Sequence, residues 1–281
     1  MGTQRVIYSF QVDSEIVNSV YSGFNNYLID QTENDGKDKY CAVYFSSHNI
    51  YYPNSSECFN REIISKNKYE WFRTRVGYAS KHIFLRDIKK QWYLTGINSN
   101  INNPEKLLGW LKAETEGYKI ITVGSSAGGY AAVLYGQLLN AEKIYSFNGQ
   151  FRFDHLLKTS TEKVDPIVFR EAGNICLRKY YDIKDFISQA NSIYYFCSIK
   201  NNIDYVQLEH IKDAGINILK FNTSIHGIPF LKVALPKILN EKSDKYFCIS
   251  NNPLLFTAKC AGINSMLIGL VMQVYGKYFK K

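Results

Sequence analysis

Proline is scarce in this chain, six in 281 residues, and histidine scarcer still at five. No low-complexity linker and no internal repeat divides the sequence, so it reads as one domain with a single large core rather than a string of modules. The six cysteines, at 41, 58, 176, 197, 248 and 260, form no CxxC pair. Their spacing matches no zinc or disulfide framework, so no metal site is expected and a reducing compartment fits best. The longest weakly polar stretch, Ile263 to Val274, runs to about 12 residues where ~20 are needed to cross a bilayer. The opening Met1-Gly2-Thr3-Gln4-Arg5-Val6 has no apolar leader region, and Val6 stands where a myristoylation signal needs Ser or Thr. A cytoplasmic protein is expected. Neither G-x-G-x-x-G nor a Gly-Lys-Ser/Thr loop occurs, which removes the common dinucleotide and nucleotide-triphosphate readings. With 46% hydrophobic and 21% charged residues, disorder, collagen-like and coiled-coil classes drop out.

Positive charge is in excess, 34 Lys+Arg over 25 Asp+Glu, for a net +9. It is unevenly placed: residues 242–281 hold six lysines and one aspartate, six minus one giving +5, and end in Gly276-Lys277-Tyr278-Phe279-Lys280-Lys281. A basic C-terminal helix over 251–281 is expected, packed on the core as a solvated tail or resting on an anionic membrane surface or other anionic partner. No nucleic-acid-binding motif accompanies the charge, so nucleic acid is not expected. The 22 Tyr and 17 Phe come with abundant Asn, Lys and Ile and follow from compositional bias, with no functional content of their own.

Short apolar runs alternate with helical patterns. Arg5–Val12, Tyr40–Ser47, His82–Arg86, Lys119–Val123, Lys143–Phe147, Ser192–Ser198 and Ile216–Phe221 read as strands. Helices are predicted from Pro104 to about Thr115 and over Ala127–Leu139, Asp204–Ala214 and Ile228–Leu239. A polar, helical, cap-like insertion falls at about 151–190. Strands alternating with helices of this length pair in parallel through right-handed crossovers, giving a three-layer α/β fold with helices on both faces of a mostly parallel sheet over residues 1–250.

The chemistry concentrates in Ile120 to Gly136, where Gly124-Ser125-Ser126-Ala127-Gly128 stands between an apolar strand and an apolar helix. A G-x-S-x-G in that context predicts a nucleophile elbow. The turn holds Ser126 at the carboxyl edge of the sheet and at a helix N-terminus, where the helix dipole favours developing negative charge. Gly124 and Gly128 remove side chains where strand and helix approach. The bland alternatives are a helix N-cap or a phosphate-binding turn. Serine needs a base, and an elbow places acid and then histidine after it in the chain. Of His155, His210 and His226, the last lies in the loop after the final apolar strand, where the base belongs. Asp204, after strand Ser192–Ser198, is the candidate acid, with a plain helix N-cap as its alternative reading; Asp182, Asp185 and Asp213 are weaker. The backbone N–H of Ala127, with one from Ser46 or Ser47, is the expected oxyanion hole.

With these residues the chain resembles serine α/β-hydrolase-like proteins of bacterial surface-polysaccharide loci, which include capsule O-acetyltransferases of meningococcal type. The resemblance rests on Gly124–Gly129, Asn148-Gly149-Gln150, Asp87…Trp92-Tyr93…Gly96, Asp204 and His226-Gly227, and spans roughly residues 40–240. It departs at Lys200-Asn201-Asn202-Ile203-Asp204, which lacks the Gly-x-x-Asp form of many acid loops. The resemblance implies an acyl-enzyme on Ser126, with no tightly bound cofactor. Acetyl-CoA is the implied donor and a polysaccharide hydroxyl the acceptor; peripheral contact with an anionic membrane or the capsule-synthesis machinery is expected from the basic C-terminal segment, which the resemblance does not cover. A serine carboxylesterase with the same three residues, and a non-catalytic glycan- or secretion-associated binding protein, stand as alternatives.

Overall fold

The computed structural model describes residues 8–32, 39–161, 166–241 and 250–279. Seven strands build one sheet: β1 (Tyr27–Gln31), β2 (Tyr40–Phe45), β3 (Lys81–Leu85), β4 (Lys119–Ser125), β5 (Lys143–Phe147), β6 (Ile193–Ser198) and β7 (Asn217–Phe221). Their spatial order is β1-β3-β2-β4-β5-β6-β7, parallel throughout except for β1, which runs antiparallel to β3 at the edge.

Side chains alternate between the two faces of a strand, and here both faces are apolar. Cys41, Val43 and Phe45 point to one side, into a core closed by the helices Pro104–Glu114, Ala127–Leu138 and Asn202–Ile211. Ala42 and Tyr44 point to the other, where Leu235–Asn240 and Pro253–Ala261 cover the sheet. The result is the three-layer, mostly parallel α/β arrangement expected from the alternation of elements. No helix among the described residues is long and apolar enough to cross a membrane.

Several details differ from the sequence reading. The strand expected over Arg5–Val12 is absent where it is described: Phe10–Asp13 forms one helical turn, and residues 1–7 lie outside the described part. The edge strand β1 was not anticipated, being five half-buried residues, Tyr-Leu-Ile-Asp-Gln, between polar neighbours. The helix expected over Ile228–Leu239 starts late, as a 3₁₀ turn Lys232–Ala234 leading into Leu235–Asn240. Pro229 disfavours helical backbone at Ile228, which explains the delay. Finally, the single C-terminal helix is two, Pro253–Ala261 and Ile263–Phe279, parted by Gly262 at φ +88°. The first of these packs on the sheet through Phe256, whose ring lies 4.9 Å from that of Phe221 and 5.0 Å from that of Phe230. Among the described residues, the segment expected as a helical insertion holds short turns of helix, Asp154–Thr159, Pro166–Glu171, Ile175–Arg178 and the 3₁₀ turn Lys184–Phe186.

Candidate active site

Because β4 to β7 are parallel and in step, with Ser125 opposite Phe147, Phe147 opposite Phe196 and Ser198 opposite Phe221, their carboxyl ends form one rim. The chain leaves each strand there, and the exits bring four polar residues to the rim: Ser126 after β4, Asn148 after β5, Asp204 after β6 and His226 after β7. Open parallel sheets place ligand sites along such a rim.

Ser126 is held at φ +54°, ψ −121°, a conformation L-residues rarely adopt. Its N–H donates to the Phe147 carbonyl at 2.9 Å, and its own carbonyl accepts from Tyr130 N–H at 3.0 Å, so the bend is fastened to β5 behind and to the helix ahead. The approach of strand and helix leaves no room for side chains. A Cβ on Gly124 would stand 1.9 Å from the Gly128 carbonyl oxygen, and one on Gly128 would stand 2.3 Å from the Phe45 carbonyl oxygen. These two glycines are therefore steric requirements of the bend. Ala127 opens the helix Ala127–Leu138, so its N–H has no intrahelical partner and stands at the positive end of the helix dipole, next to Ser126.

His226 bridges the other two residues. Its Nε2 is 2.7 Å from Ser126 Oγ and its Nδ1 is 2.8 Å from Asp204 Oδ1. A carboxylate only accepts, so the proton sits on Nδ1 and the Nε2 lone pair accepts the serine O–H. The acid is almost wholly buried, 1% exposed, whereas His226 is 37% exposed. Burial raises the Asp204 carboxyl, and the hydrogen bond and charge of His226 pull it part of the way back. Its second oxygen, Oδ2, has no hydrogen-bond partner among the described residues, where His226 is the side chain that the carboxylate meets. Asp204 is not the helix N-cap. Asn201 takes that role, its Oδ1 accepting from the N–H groups of Ile203 and Asp204, which frees the Asp204 carboxylate for the imidazole.

Asn148 ties the rim together. Its Nδ2 donates to the carbonyls of Gly227 (2.9 Å) and Ile225 (3.3 Å), either side of His226, and to Ser198 Oγ at 2.8 Å. Its Oδ1 accepts from Ser198 N–H at 2.7 Å. The histidine loop is thus hung from the ends of β5 and β6. Only the Asn148-Gly149-Gln150 stretch was visible in the sequence; these carbonyl partners leave no side-chain signal.

The expected second oxyanion donor stands differently. Ser46 N–H already donates to the Leu85 carbonyl, and Ser47 N–H to Glu70 Oε2 at 2.6 Å, with Ser47 Oγ on Glu70 Oε1 at 3.0 Å. Neither N–H is unpaired, and use of Ser47 requires Glu70 to release it. Burial raises the Glu70 carboxyl, while the Ser47 donors lower it. Next along, burial pushes His48 down to about 3, helped by Lys90 and His226, so it is a neutral imidazole near His226. The remaining candidates stand apart from Ser126: His210 Nε2 pairs with Asp182 Oδ1 at 2.9 Å, and His155 lies in the turn Asp154–Thr159.

No protein-family model and no curated protein matches the chain. Among solved structures, the capsule O-acetyltransferase of Neisseria meningitidis serogroup A is similar at TM-score 0.47 and 16% identity, over 69% of this chain and 82% of that one. A protein of unknown function from Staphylococcus aureus subsp. aureus Mu50 aligns at TM-score 0.45 and 12% identity, over 84% and 94%. S-formylglutathione hydrolase from Staphylococcus aureus aligns at TM-score 0.44 and 9% identity, over 68% and 82%. At these scores the likenesses carry no weight for function, which has to stand on the site itself.

Proposed function

We propose that this chain is a serine acyltransferase that works through an acyl-enzyme on Ser126, moving an acetyl group from acetyl-CoA to a hydroxyl of a surface polysaccharide. The observation that carries the acyl-transfer chemistry is the unbroken run Asp204–His226–Ser126, at 2.8 and 2.7 Å, ending on a serine in a strained bend at a helix N-terminus. Donor and acceptor follow from the motif resemblance, and the net charge of +9 suits the phosphates of CoA and an anionic glycan.

In the first half-reaction Ser126 Oγ attacks the thioester carbonyl carbon while its proton passes to His226 Nε2. Asp204 stabilises the resulting imidazolium and fixes its tautomer, and Ala127 N–H donates to the oxyanion. The tetrahedral adduct collapses by breaking the C–S bond, and the departing thiolate takes the proton from His226. In the second half a sugar hydroxyl attacks the ester carbon and gives its proton to His226. The bond to Ser126 Oγ then breaks, and the proton returns to that oxygen.

One observation favours a second reading. His226 is 37% exposed, which lets water reach the base, and with water as acceptor the same residues make an esterase. A single experiment separates the two. With acetyl-CoA and candidate polysaccharides, the transferase releases CoA faster when the glycan is present and leaves acetyl esters on it. Equal CoA release with and without glycan overturns the transferase and leaves the esterase. In either case a fluorophosphonate probe labels the protein, and Ser126→Ala and His226→Ala each lose activity by roughly 10⁴-fold or more, the double variant being little worse. Absence of labelling in the folded protein overturns both readings and promotes a binding protein.

A further inference from the structure

The last helix, Ile263–Phe279, is apolar on the side it turns to solvent. Ile263, Leu267, Ile268, Val271, Met272 and Tyr275 are each 51–69% exposed. At about 100° per residue these six fall within one half-turn of the helix surface, an arc of about 180°. Gly269 lies outside that arc and faces the protein: a Cβ there would stand 2.9 Å from Val233 Cγ2 and 3.3 Å from Leu231 Cδ1. A surface helix ordinarily buries its apolar stripe and shows its polar one. Here the small residue is buried and the large apolar ones are not. On the preceding helix Leu254 and Leu255 are also exposed, 42% and 48%. An apolar helix face left exposed in this way marks an interaction site.

Charge identifies what covers it. Asp244 is the last acidic residue of the chain; from 245 to 281 there are five lysines and no Asp or Glu, and three of the lysines, 277, 280 and 281, follow the apolar stretch directly with Tyr278 and Phe279 among them. Residues 222–240, which include Leu231 and Val233, add Lys232 and Lys237 and again no acid. An anionic bilayer complements both properties at once, acyl chains for the apolar arc and headgroups for the lysines. A second copy of the chain complements only the first, since each copy carries +9. The helix is about 25 Å long at 1.5 Å per residue, and no described helix is suited to crossing a membrane. Lying in the interface is the geometry left to it. We infer that the outward face of Ile263–Phe279 is a peripheral docking surface for anionic lipid, with the apolar half-turn set into the headgroup boundary.

Vesicle sedimentation of the full chain tests this independently of catalysis. The protein is expected to pellet with vesicles of mixed phosphatidylglycerol and phosphatidylcholine, to bind pure phosphatidylcholine at least about tenfold less, and to be released by raised salt. The double variant Leu267→Glu, Val271→Glu, at two solvent-facing positions, should lose about tenfold or more in vesicle binding with an unchanged melting temperature. As a second reading of the same face, Met272→Trp should show a blue-shifted emission on adding the anionic vesicles. No pelleting with phosphatidylglycerol, or pelleting equal for the double variant, overturns the inference. So does a stable dimer by light scattering that the double variant dissolves, which would show that a second copy covers the face.

Discussion

At Ser126 a single residue carries opposing demands. Its φ of +54° and ψ of −121° cost an L-residue about 1–3 kcal/mol, a strain that the close-packed strand, helix and Phe147 carbonyl impose. Glycine has no Cβ to resist that conformation. Ser126→Gly is therefore expected to be inactive yet to melt at or above the parent temperature, and above Ser126→Ala, by thermal denaturation followed with circular dichroism. A glycine variant less stable than the alanine variant would show that the bend is not strained. The position of this serine was legible in the sequence because sterics dictate its neighbours, Gly124 and Gly128. The histidine was legible because only one follows the last strand at the right edge. The acid was legible as a residue but not in its local role: Asn201, three residues earlier, caps the helix and leaves Asp204 to the imidazole.

At the scale of elements, the site depends on loops hung between strand ends, and Asn148 is the hanger. Removing its amide leaves the carbonyls of Ile225 and Gly227 without that donor and lets the loop bearing His226 shift. Misplacement of a reacting group by an ångström costs on the order of 10²-fold. Asn148→Ala is expected to lose about that much acyl-transfer rate, in kcat more than in KM, while keeping some fluorophosphonate labelling; a parent-like kcat would remove Asn148 from the positioning of the base. The turn Asp87–Tyr93 is a second such element. Lys90, Trp92 and Tyr93 all stand at positive φ, and Asp87 Oδ2 accepts from the N–H groups of Gln91 and Tyr93. Burial pushes the Asp87 carboxyl up to about 6, against its backbone donors. From its ordinary value of 3.8 to about 6, the folded chain keeps a proton that the unfolded chain has lost. Folding is then favoured less as pH rises through that window, and the loss is complete above it. Asp87→Asn lacks this titration. The melting temperature of the parent should fall relative to that of the variant from about pH 4 to about pH 6 and run parallel beyond, whereas parallel curves throughout would place no proton on Asp87. The pattern of Asp87, Trp92, Tyr93 and Gly96 was visible in the sequence, but its content is backbone conformation and burial, which residue spacing does not express.

For the whole molecule, the two apolar faces of the sheet explain both what was readable and what was not. Strands β2 to β6 bury residues on both sides and so appear as short apolar runs, and β7, at the far edge, buries Leu219 and Phe221 on one face. The edge strand β1 is only half-buried and leaves a weak trace, and Pro229 breaks a helical pattern that composition alone suggested. The C-terminal segment is where local pattern says least, because its two helices have opposite relations to the core. Pro253–Ala261 sends Phe256, 1% exposed, between Phe221 and Phe230, and Thr257 Oγ1 accepts from Leu231 N–H at 3.2 Å. Asn222 N–H donates to the Asn251 carbonyl at 2.8 Å, directly beyond β7. These contacts make that helix part of the layer that covers the sheet, on the same side as Leu235–Asn240. Phe256→Ala should then cost about 3–5 kcal/mol and lower the single melting transition by on the order of 10 °C. Val271→Glu, on the outward face of the following helix, should leave that transition where it is. If the C-terminal pair were instead an appendage that folds apart from the sheet, Phe256→Ala would leave the main transition in place, because the rings of Phe221 and Phe230 would not depend on it for their burial.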